Sequence, residues 1–145
     1  MLEATLSENA LISIIDDDEF VREALKGLLR SLGFTIEAFP SARDFLESVR
    51  LRETSCLIAD VHMPAMTGLE LHGRLVESGH AIPTILITAY PEDSMRARAL
   101  NNGVICYLSK PFAEDDLLRC VRLALQRRNP TEGSHEPRPS AGNVN

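Results

Sequence analysis

The chain alternates between two hydrophobic periodicities along most of its length. Short apolar runs rich in β-branched residues, the first covering residues 11–15, alternate with longer segments in which apolar residues recur every three or four positions. The short runs predict buried strands, and the longer segments predict amphipathic helices. Strict alternation of this kind predicts parallel strands joined by right-handed helical crossovers, with helices on both faces of one sheet.

Five pairs of a strand and a helix follow from these periodicities, and they define a doubly wound α/β sheet of the flavodoxin-like type. The spacing predicts strands over residues 11–15, 35–39, 56–59, 84–87 and 104–108. A helix is predicted after each strand, and the predicted apolar helix positions include Phe20, Leu32, Val49 and Val76. Ligands of such sheets bind at the carboxyl ends of the strands, so the residues that follow the strands are the first candidates for a functional site.

Local signals mark where some of these helices begin. Ser41, with Asp44 three residues later, opens the second helix, and Thr67 with Glu70 predicts a capping box at the start of the third. The fourth helix is predicted over residues 93–101 and is only weakly apolar. The boundaries of the second and third helices are therefore predicted by specific side chains as well as by periodicity.

The composition is that of one globular domain with less patterned ends. The chain has 145 residues, of which 44% are hydrophobic and 25% are charged, enough to bury a core of its own. We predict an N-terminal lead over residues 1–9 and a folded domain over residues 10–128. Residues 129–145 are rich in proline, glycine and polar residues, a composition that predicts a disordered tail or linker.

Charge, hydropathy and cysteine content argue against several classes of function. The formal net charge is -6, and the absence of a cationic cluster beyond Arg127-Arg128 argues against a nucleic-acid surface. The longest apolar runs fall short of the roughly 20 residues that span a bilayer, so we expect no membrane contact. Cys56, Cys106 and Cys120 are odd in number and lie in apolar segments, so we expect buried reduced thiols and a cytoplasmic location.

Four of the five predicted strands lead into charged or hydroxyl side chains. Asp16 and Asp17 follow the first strand, and Asp60 follows the third. Thr88 ends the fourth strand, and Lys110 comes shortly after the fifth. Carboxylates gathered at one sheet edge repel one another unless a hard cation such as Mg²⁺ is present. A carboxylate nucleophile beside a hydroxyl, an ammonium and Mg²⁺ provides the parts of a site that forms an aspartyl phosphate.

These residues resemble the signature of the response-regulator receiver domain. The segments that carry the resemblance are Asp16-Asp17, the run Asp-Val-His-Met-Pro-Ala-Met-Thr-Gly from Asp60, Thr88, and Lys110-Pro111-Phe112. The resemblance covers about residues 10–126 and is closest to the receivers of LuxR-type regulators. It implies a (βα)5 receiver fold in a two-component phosphorelay, with Asp60 as the phosphoacceptor and the phosphohistidine of a sensor histidine kinase as the donor.

The same resemblance implies a bound cation. Mg²⁺, with Mn²⁺ as a substitute, would be held by Asp16, Asp17, Asp60 and the backbone carbonyl of His62. Asp17 would be the more direct ligand, whereas Asp16 would act largely through water. Lys110 would neutralise charge on the transferred phosphoryl group together with the cation.

The resemblance further implies a conformational switch. Thr88 and Lys110 would contact the phosphoryl group, after which Thr88 would swing toward it and Tyr107 would turn inward. These motions would remodel the face formed by helix 4, strand 5 and helix 5. His62 and Tyr90 flank the site, and we expect them to modify the rate of dephosphorylation.

The predicted partners are a sensor histidine kinase and a downstream protein of unknown identity. A phosphorylation-dependent homodimer of the chain is a further predicted interaction. We expect no direct contact with nucleic acid or membrane. The chain is expected to be a stand-alone signalling phosphoacceptor that catalyses its own phosphorylation and dephosphorylation, and not an enzyme for other substrates. The alternative is a receiver fragment of a longer DNA-binding regulator.

Three other interpretations fit parts of the sequence. Asp16-x-Asp18 resembles the nucleophile motif of haloacid-dehalogenase-type phosphatases, which would make Asp16 the nucleophile in place of Asp60. A flavodoxin would cradle a flavin phosphate in the first loop, where successive aspartates would repel it. A receiver-like scaffold that never becomes phosphorylated would not need the intact acid pair together with Asp60, Thr88 and Lys110.

Overall fold

One parallel sheet of five strands forms the centre of the fold. The computed structural model describes residues 10–128, so the predicted N-terminal lead and C-terminal tail lie outside the described residues. The strands are β1 (Leu11–Ile15), β2 (Thr35–Phe39), β3 (Thr54–Asp60), β4 (Thr84–Thr88) and β5 (Cys106–Ser109). Their order is β2-β1-β3-β4-β5, and every neighbouring pair is parallel. The predicted doubly wound flavodoxin-like sheet is confirmed.

The described residues also contain five α-helices, one after each strand. They are α1 (Glu19–Ser31), α2 (Ala42–Leu46), α3 (Gly68–Glu77), α4 (Asp93–Asn101) and α5 (Glu114–Arg128), and a short 3-10 helix covers Leu51–Glu53. The fourth helix has the bounds that the sequence predicts. Between residues 10 and 128, no helix combines the length and hydrophobicity that crossing a bilayer would require.

Successive residues of each strand supply two separate cores on opposite faces of the sheet. Ile14 belongs to a buried cluster with Leu29 of α1 and Val121 of α5. The next residue, Ile15, belongs to the other cluster, together with Phe45 of α2. Because helices cover both faces, nearly all side chains of β1, β3 and β4 are buried on both sides, which explains the continuous hydrophobicity of these strands. The edge strands β2 and β5 are only partly buried.

The helix capping signals act as predicted. The backbone N–H of Glu70 donates to Oγ1 of Thr67 over 3.0 Å, and the backbone N–H of Thr67 donates to Oε1 of Glu70 over 2.9 Å. This reciprocal pair is the predicted capping box, and it starts α3 immediately after the loop that follows β3. Oγ of Ser41 likewise accepts from the backbone N–H of Asp44 at the start of α2.

Four predicted apolar helix positions face solvent instead of the core. The exposed fractions are 94% for Val49, 84% for Phe20, 56% for Val76 and 43% for Leu32. Val49 lies beyond the end of α2, which is shorter than predicted. On α3 the buried stripe includes His72 in place of Val76. A helix lying on a sheet buries only one stripe of its surface, which is narrower than the set of apolar residues in these segments.

The strand starts differ from the prediction at β3 and β5. β3 begins earlier because Thr54 can be buried: its hydroxyl and that of Ser13 share a hydrogen bond of 2.8 Å. β5 begins at Cys106 and not at Val104. The backbone N–H of Val104 donates to the carbonyl of Ala99 and so closes the carboxyl end of α4 before the strand begins.

The cysteines are arranged differently from the prediction of three separate thiols. The Sγ atoms of Cys106 and Cys120 are joined as a disulfide, which makes that prediction wrong for this pair. Cys56 is free and fully buried, as predicted. The sequence does not predict this pairing, because the two cysteines lie 14 positions apart and only the packing of α5 against the sheet brings them together.

Candidate functional site

The predicted acidic residues meet at the carboxyl edge of the sheet. β1 ends at Ile15, so Asp16 and Asp17 lie directly beyond it, and Asp60 is the last residue of the neighbouring strand β3. One carboxylate oxygen from each of Asp16, Asp17 and Asp60 lies within 4.8 Å of the other two. Asp16 and Asp60 are buried, whereas Asp17 is exposed. Three oxygen donors at this spacing fit a hard divalent cation that keeps part of its water.

Lys110 bridges the two buried carboxylates of this acidic cluster. Its Nζ lies 3.1 Å from Oδ2 of Asp16 and 3.3 Å from Oδ2 of Asp60. The lysine side chain is 19% exposed, and the side chains of Asp16 and Asp60 are 0% and 9% exposed. One ammonium therefore offsets part of the repulsion between two desolvated carboxylates.

Asp16 is fixed in place by its neighbours in the chain. Its Oδ1 accepts a hydrogen bond of 2.9 Å from the backbone N–H of Asp18. Its backbone carbonyl accepts one of 2.7 Å from Nη1 of Arg22, on the first helical turns of α1. Since Oδ2 contacts Lys110, both carboxylate oxygens of Asp16 already have a partner. The exposed carboxylate of Asp17 is the more accessible of the two.

The electrostatics of the cluster shift two pKa values upward. Burial is the main cause of the raised pKa of Asp60, and the charge of Asp16 adds to it, while Lys110 and the N–H of His62 act in the opposite direction. Burial by itself would lower the pKa of Lys110, but its hydrogen bonds and charge interactions with Asp16 and Asp60 outweigh that effect and raise it. Lys110 is therefore firmly held as an ammonium at neutral pH.

Thr88 and the two flanking aromatic side chains lie around the end of β4. Thr88 is completely buried, and its Oγ1 accepts a hydrogen bond of 2.9 Å from the backbone N–H of Tyr90. The rings of Tyr90 and His62 meet edge to face, with centroids 5.6 Å apart. The backbone N–H of His62 also donates to Oδ1 of Asp60 over 3.1 Å. His62 and Tyr90 thus form one aromatic contact beside Asp60.

Tyr107 already points inward in this structure. Its side chain is 3% exposed, and its hydroxyl has no hydrogen-bond partner among residues 10–128. Arg96 of α4 lies over the ring, with Cζ 5.0 Å from the centroid, and its Nη1 donates to the carbonyl of Tyr107 over 3.2 Å. A single arginine of α4 thereby contacts both the backbone and the ring of this β5 residue.

A family model matches the part of the chain that builds this site. The model of the response regulator receiver domain matches residues 12–122. The chain belongs to this family. The resemblance seen in the sequence is therefore confirmed, and receiver domains as a class act with sensor histidine kinases and downstream effectors.

Two curated relatives of this receiver are considerably longer proteins. Response regulator protein TodT of Pseudomonas putida F1 is 41% identical over 131 residues, which cover 90% of this chain and 57% of TodT. Nodulation protein W of Bradyrhizobium diazoefficiens is 38% identical over 121 residues, which cover 83% of this chain and 53% of that protein. The receiver chain thus spans little more than half the length of these relatives.

Solved structures show the same receiver fold. The response regulator StyR matches with a TM-score of 0.79 and 39% identity, over 87% of this chain and 64% of that one. FixJ-N matches with a TM-score of 0.73 and 29% identity, over 81% of this chain and 94% of that one. The arrangement of the sheet and its helices therefore belongs to a fold shared with other regulators.

The sequence analysis gave no role to Gly68, although it belongs to the signature run from Asp60, and it did not predict the contribution of Arg22 to the site. Gly68 begins α3 so close to β3 that a Cβ atom there would lie 2.5 Å from the carbonyl oxygen of Asp60 and 2.9 Å from Cδ2 of Leu86. Arg22 reaches the carbonyl of Asp16 from α1. A glycine at the first helical position after Thr67 is a signal that could have identified Gly68, whereas nothing local distinguishes Arg22 from a surface arginine.

Asp18 does not join the acidic cluster. Its Oδ1 accepts from the backbone N–H of Phe20 over 2.9 Å and caps α1, which is the ordinary use of an aspartate at this position. A dehalogenase-type site would need Asp18 beside the nucleophile Asp16. The geometry and the family match therefore both disfavour that interpretation.

Proposed function

We propose that Asp60 is the phosphoacceptor of a two-component response regulator and receives a phosphoryl group from the phosphohistidine of a sensor histidine kinase. The observation that carries this proposal is the bridge formed by Lys110 between Asp16 and Asp60, with Asp17 alongside. This arrangement places a carboxylate nucleophile, the ammonium of Lys110 and further carboxylates that can bind a cation close together at the edge of the sheet. These are the elements that phosphoryl transfer requires.

The carboxylates of Asp16, Asp17 and Asp60 and the backbone carbonyl of His62 would hold Mg²⁺, with Mn²⁺ as a substitute. When bound, the cation neutralises charge on the transferred group. Asp17 suits direct coordination because it is exposed. Asp16 suits coordination through water, since its carboxylate oxygens already accept from Asp18 and Lys110.

Asp60 and Lys110 have different roles in the phosphoryl transfer. A carboxylate oxygen of Asp60 forms the new bond to phosphorus, and the bond from phosphorus to the donor imidazole nitrogen breaks, with the electron pair returning to the imidazole. Lys110 stabilises the charge on the phosphoryl oxygens and needs to move little to do so, because its Nζ is already 3.3 Å from Oδ2 of Asp60. The receiver therefore catalyses its own phosphorylation and, with water as the nucleophile, its own dephosphorylation.

The proposed output is a switch on the surface formed by α4, β5 and α5. Thr88 would exchange its hydrogen bond from the N–H of Tyr90 for one to a phosphoryl oxygen. Tyr107 is already inward, so phosphorylation would stabilise an arrangement that the unmodified chain can adopt. His62 and Tyr90, in contact beside Asp60, would tune the access of water and hence the rate of dephosphorylation.

The partners in this proposal are a sensor histidine kinase and a downstream protein that binds the α4, β5 and α5 surface. A phosphorylation-dependent homodimer would use the same surface. The proposal includes no direct contact with nucleic acid or membrane, and the cytoplasmic location expected from the sequence stays a prediction. In this form the receiver acts through contacts with other proteins.

Incubation with acetyl phosphate and Mg²⁺, followed by intact mass measurement, tests the proposal. Wild type is expected to gain one phosphoryl group, and Asp60→Asn to gain none. Asp18→Asn is the matched control, because Asp18 caps α1 outside the acidic cluster and asparagine is an equally good cap. A wild-type chain that gains no phosphoryl mass, or an Asp60→Asn chain that gains as much as wild type, would sink the proposal.

A second candidate is a receiver unit within a longer DNA-binding regulator. The greater length of TodT and Nodulation protein W favours it. The phosphorylation chemistry would be unchanged, and the downstream partner would be the attached domain. The two candidates differ in the size of the native protein. An antibody raised against the receiver should detect, on a blot of the cells that produce it, a product of 16.0 kDa for a stand-alone receiver and a larger product for a longer regulator.

A further inference from the structure

A pair of cysteines connects β5 with α5 on the proposed output surface. Cys106 is the first residue of β5, and Cys120 lies in the middle of α5. Their Cα atoms are 6.0 Å apart, within the range that a disulfide accommodates without backbone movement. Cys120 is 3% exposed, whereas Cys106 is only partly buried. Cys106 is thus the more exposed residue of the pair.

We propose that Cys106 and Cys120 form a reversible thiol–disulfide modification site that tethers α5 to β5 and thereby regulates the receiver switch. The oxidants it would take are small-molecule disulfides of the glutathione class. The inference of the disulfide is based on the placement of the two cysteines. The inference that it regulates the switch rests on the proposed function. In a reducing compartment disulfides are rare and mostly transient, which suits a regulatory bond better than a permanent one.

The exchange proceeds in two balanced steps. The more exposed Cys106 loses its proton, and its thiolate attacks one sulfur of the oxidant, forming a mixed disulfide and releasing one thiolate. Cys120 then loses its proton and attacks Sγ of Cys106, which forms the internal disulfide and releases the second thiolate. The two released thiolates take up the two protons. Two electrons have passed from the protein to the oxidant, and a dithiol in excess reverses the reaction.

The position of Cys106 links this bond to the switch. Cys106 packs against the core on the α1 and α5 side, whereas the next residue, Tyr107, belongs to the core on the opposite side. Arg96 of α4 contacts the backbone carbonyl of Tyr107. Tyr107 therefore connects β5 to α4, and the adjacent Cys106 connects β5 to α5. A covalent bond at Cys106 restricts any rearrangement in which β5 moves relative to α5.

Cys56 provides an internal control. It is fully buried, and burial raises the pKa of its thiol to about 12, so it carries almost no reactive thiolate at neutral pH. It has no cysteine partner among the described residues, where Cys106 and Cys120 are paired with each other. An oxidant should therefore leave Cys56 unmodified while it joins the other two.

The first experiment measures the bond itself. The full chain is reduced, freed of reductant and treated with oxidised glutathione, and its intact mass and non-reducing peptide map are recorded. We expect the loss of two hydrogens, one cross-linked peptide pair containing Cys106 and Cys120, and full reversal by dithiothreitol. Cys106→Ser and Cys120→Ser should form no internal bond, whereas Cys56→Ala should behave as wild type. An unchanged wild-type mass, or a cross-link that involves Cys56, would overturn the proposal.

The second experiment measures the effect on the switch. Amide hydrogen exchange of β5 and α5 is followed in the oxidised and reduced wild-type chains, before and after addition of Mg²⁺ with beryllium fluoride as a phosphoryl analogue. A large change in the reduced chain and a several-fold smaller change in the oxidised chain support regulation by the tether. Equal changes in both forms overturn it. If neither form responds, the proposed phosphoacceptor function fails, while the mass measurement still decides the modification site.

Discussion

The Nζ atom of Lys110 lies 3.3 Å from Oδ2 of Asp60, the carboxylate at the end of the central strand β3. The same ammonium lies 3.1 Å from Asp16, so a single cation serves two buried carboxylates. A third carboxylate, that of Asp17, shares the cluster and has no ion-pair contact among the described residues. The site thus carries more negative than positive charge, which favours binding of a divalent cation.

Replacement of Lys110 by alanine should destabilise the chain in the absence of divalent cations. It leaves two buried carboxylates without their counter-charge, and breaking such a pair costs roughly 3 kcal/mol. Mg²⁺ should restore much of this loss, because it replaces the missing positive charge and binds only the folded chain. Urea unfolding with and without Mg²⁺ measures both effects.

The same variant separates metal binding from phosphoryl transfer. Lys110→Ala should bind Mg²⁺ at least as well as wild type in calorimetric titration, yet accept a phosphoryl group from acetyl phosphate far more slowly. Asp17→Asn should instead lose Mg²⁺ affinity. If Lys110→Ala lost as much Mg²⁺ affinity as Asp17→Asn, the assignment of the lysine to the phosphoryl group would be wrong.

Gly68→Ala should disturb the site by forcing α3 away from β3. The added Cβ would lie 2.5 Å from the carbonyl oxygen of Asp60, a backbone atom that can move only with the strand. We expect a loss of about 1–3 kcal/mol in the free energy of unfolding, together with slower phosphorylation. Denaturant unfolding and acetyl phosphate kinetics provide the two measurements.

Gly73→Ala is the matched control in the same helix. An added Cβ at Gly73 has nothing within 4 Å, so only the backbone effect of removing a mid-helix glycine is left. This variant should gain about 0.5–1 kcal/mol in stability and keep its phosphorylation rate. A Gly68→Ala chain as stable as Gly73→Ala would contradict the close approach of α3 to β3.

The contact between Arg96 and Tyr107 should appear as a coupling free energy. The guanidinium lies 5.0 Å from the ring centroid, and a partly solvated cation–π contact contributes about 0.5–1 kcal/mol. A double-mutant cycle with Arg96→Met and Tyr107→Leu, measured by urea unfolding, should return a coupling of that size. In the control cycle, Arg98→Met on the same helix takes the place of Arg96→Met. The effects of Arg98→Met and Tyr107→Leu on the free energy of unfolding should be additive.

His72 should make stability depend on pH. Burial lowers its pKa below the ordinary 6.5, so the unfolded chain binds the proton more readily than the folded one. The free energy of unfolding therefore has its full His72 contribution above about pH 6.5 and loses it as pH falls toward the lowered pKa. His72→Leu also removes the Nδ1 atom that has no partner among residues 10–128. Urea unfolding at several pH values should show a shallower acid loss for His72→Leu, and parallel curves would contradict the interpretation.

Predictions that depend on local sequence were the most accurate. The two capping-box hydrogen bonds join Thr67 and Glu70 across one helical turn, so the capping box could be predicted without knowing any long-range contact. Val76 and Val49 were misassigned because hydrophobicity alone does not show which stripe of a helix faces the sheet or where a short helix ends. The registration of each helix on the sheet depends on the whole set of packed side chains.

The sequence by itself determined the parallel α/β sheet and the gathering of Asp16, Asp60 and Lys110 at its carboxyl edge, because strand order and the shared edge follow from alternation and topology. Tertiary structure alone decided which atoms meet there. The close approach at Gly68 and the pairing of Cys106 with Cys120 depend on distances between segments far apart in the chain. Periodicity predicts which elements form, but only their packing fixes separations of a few ångströms, and these separations set the chemistry.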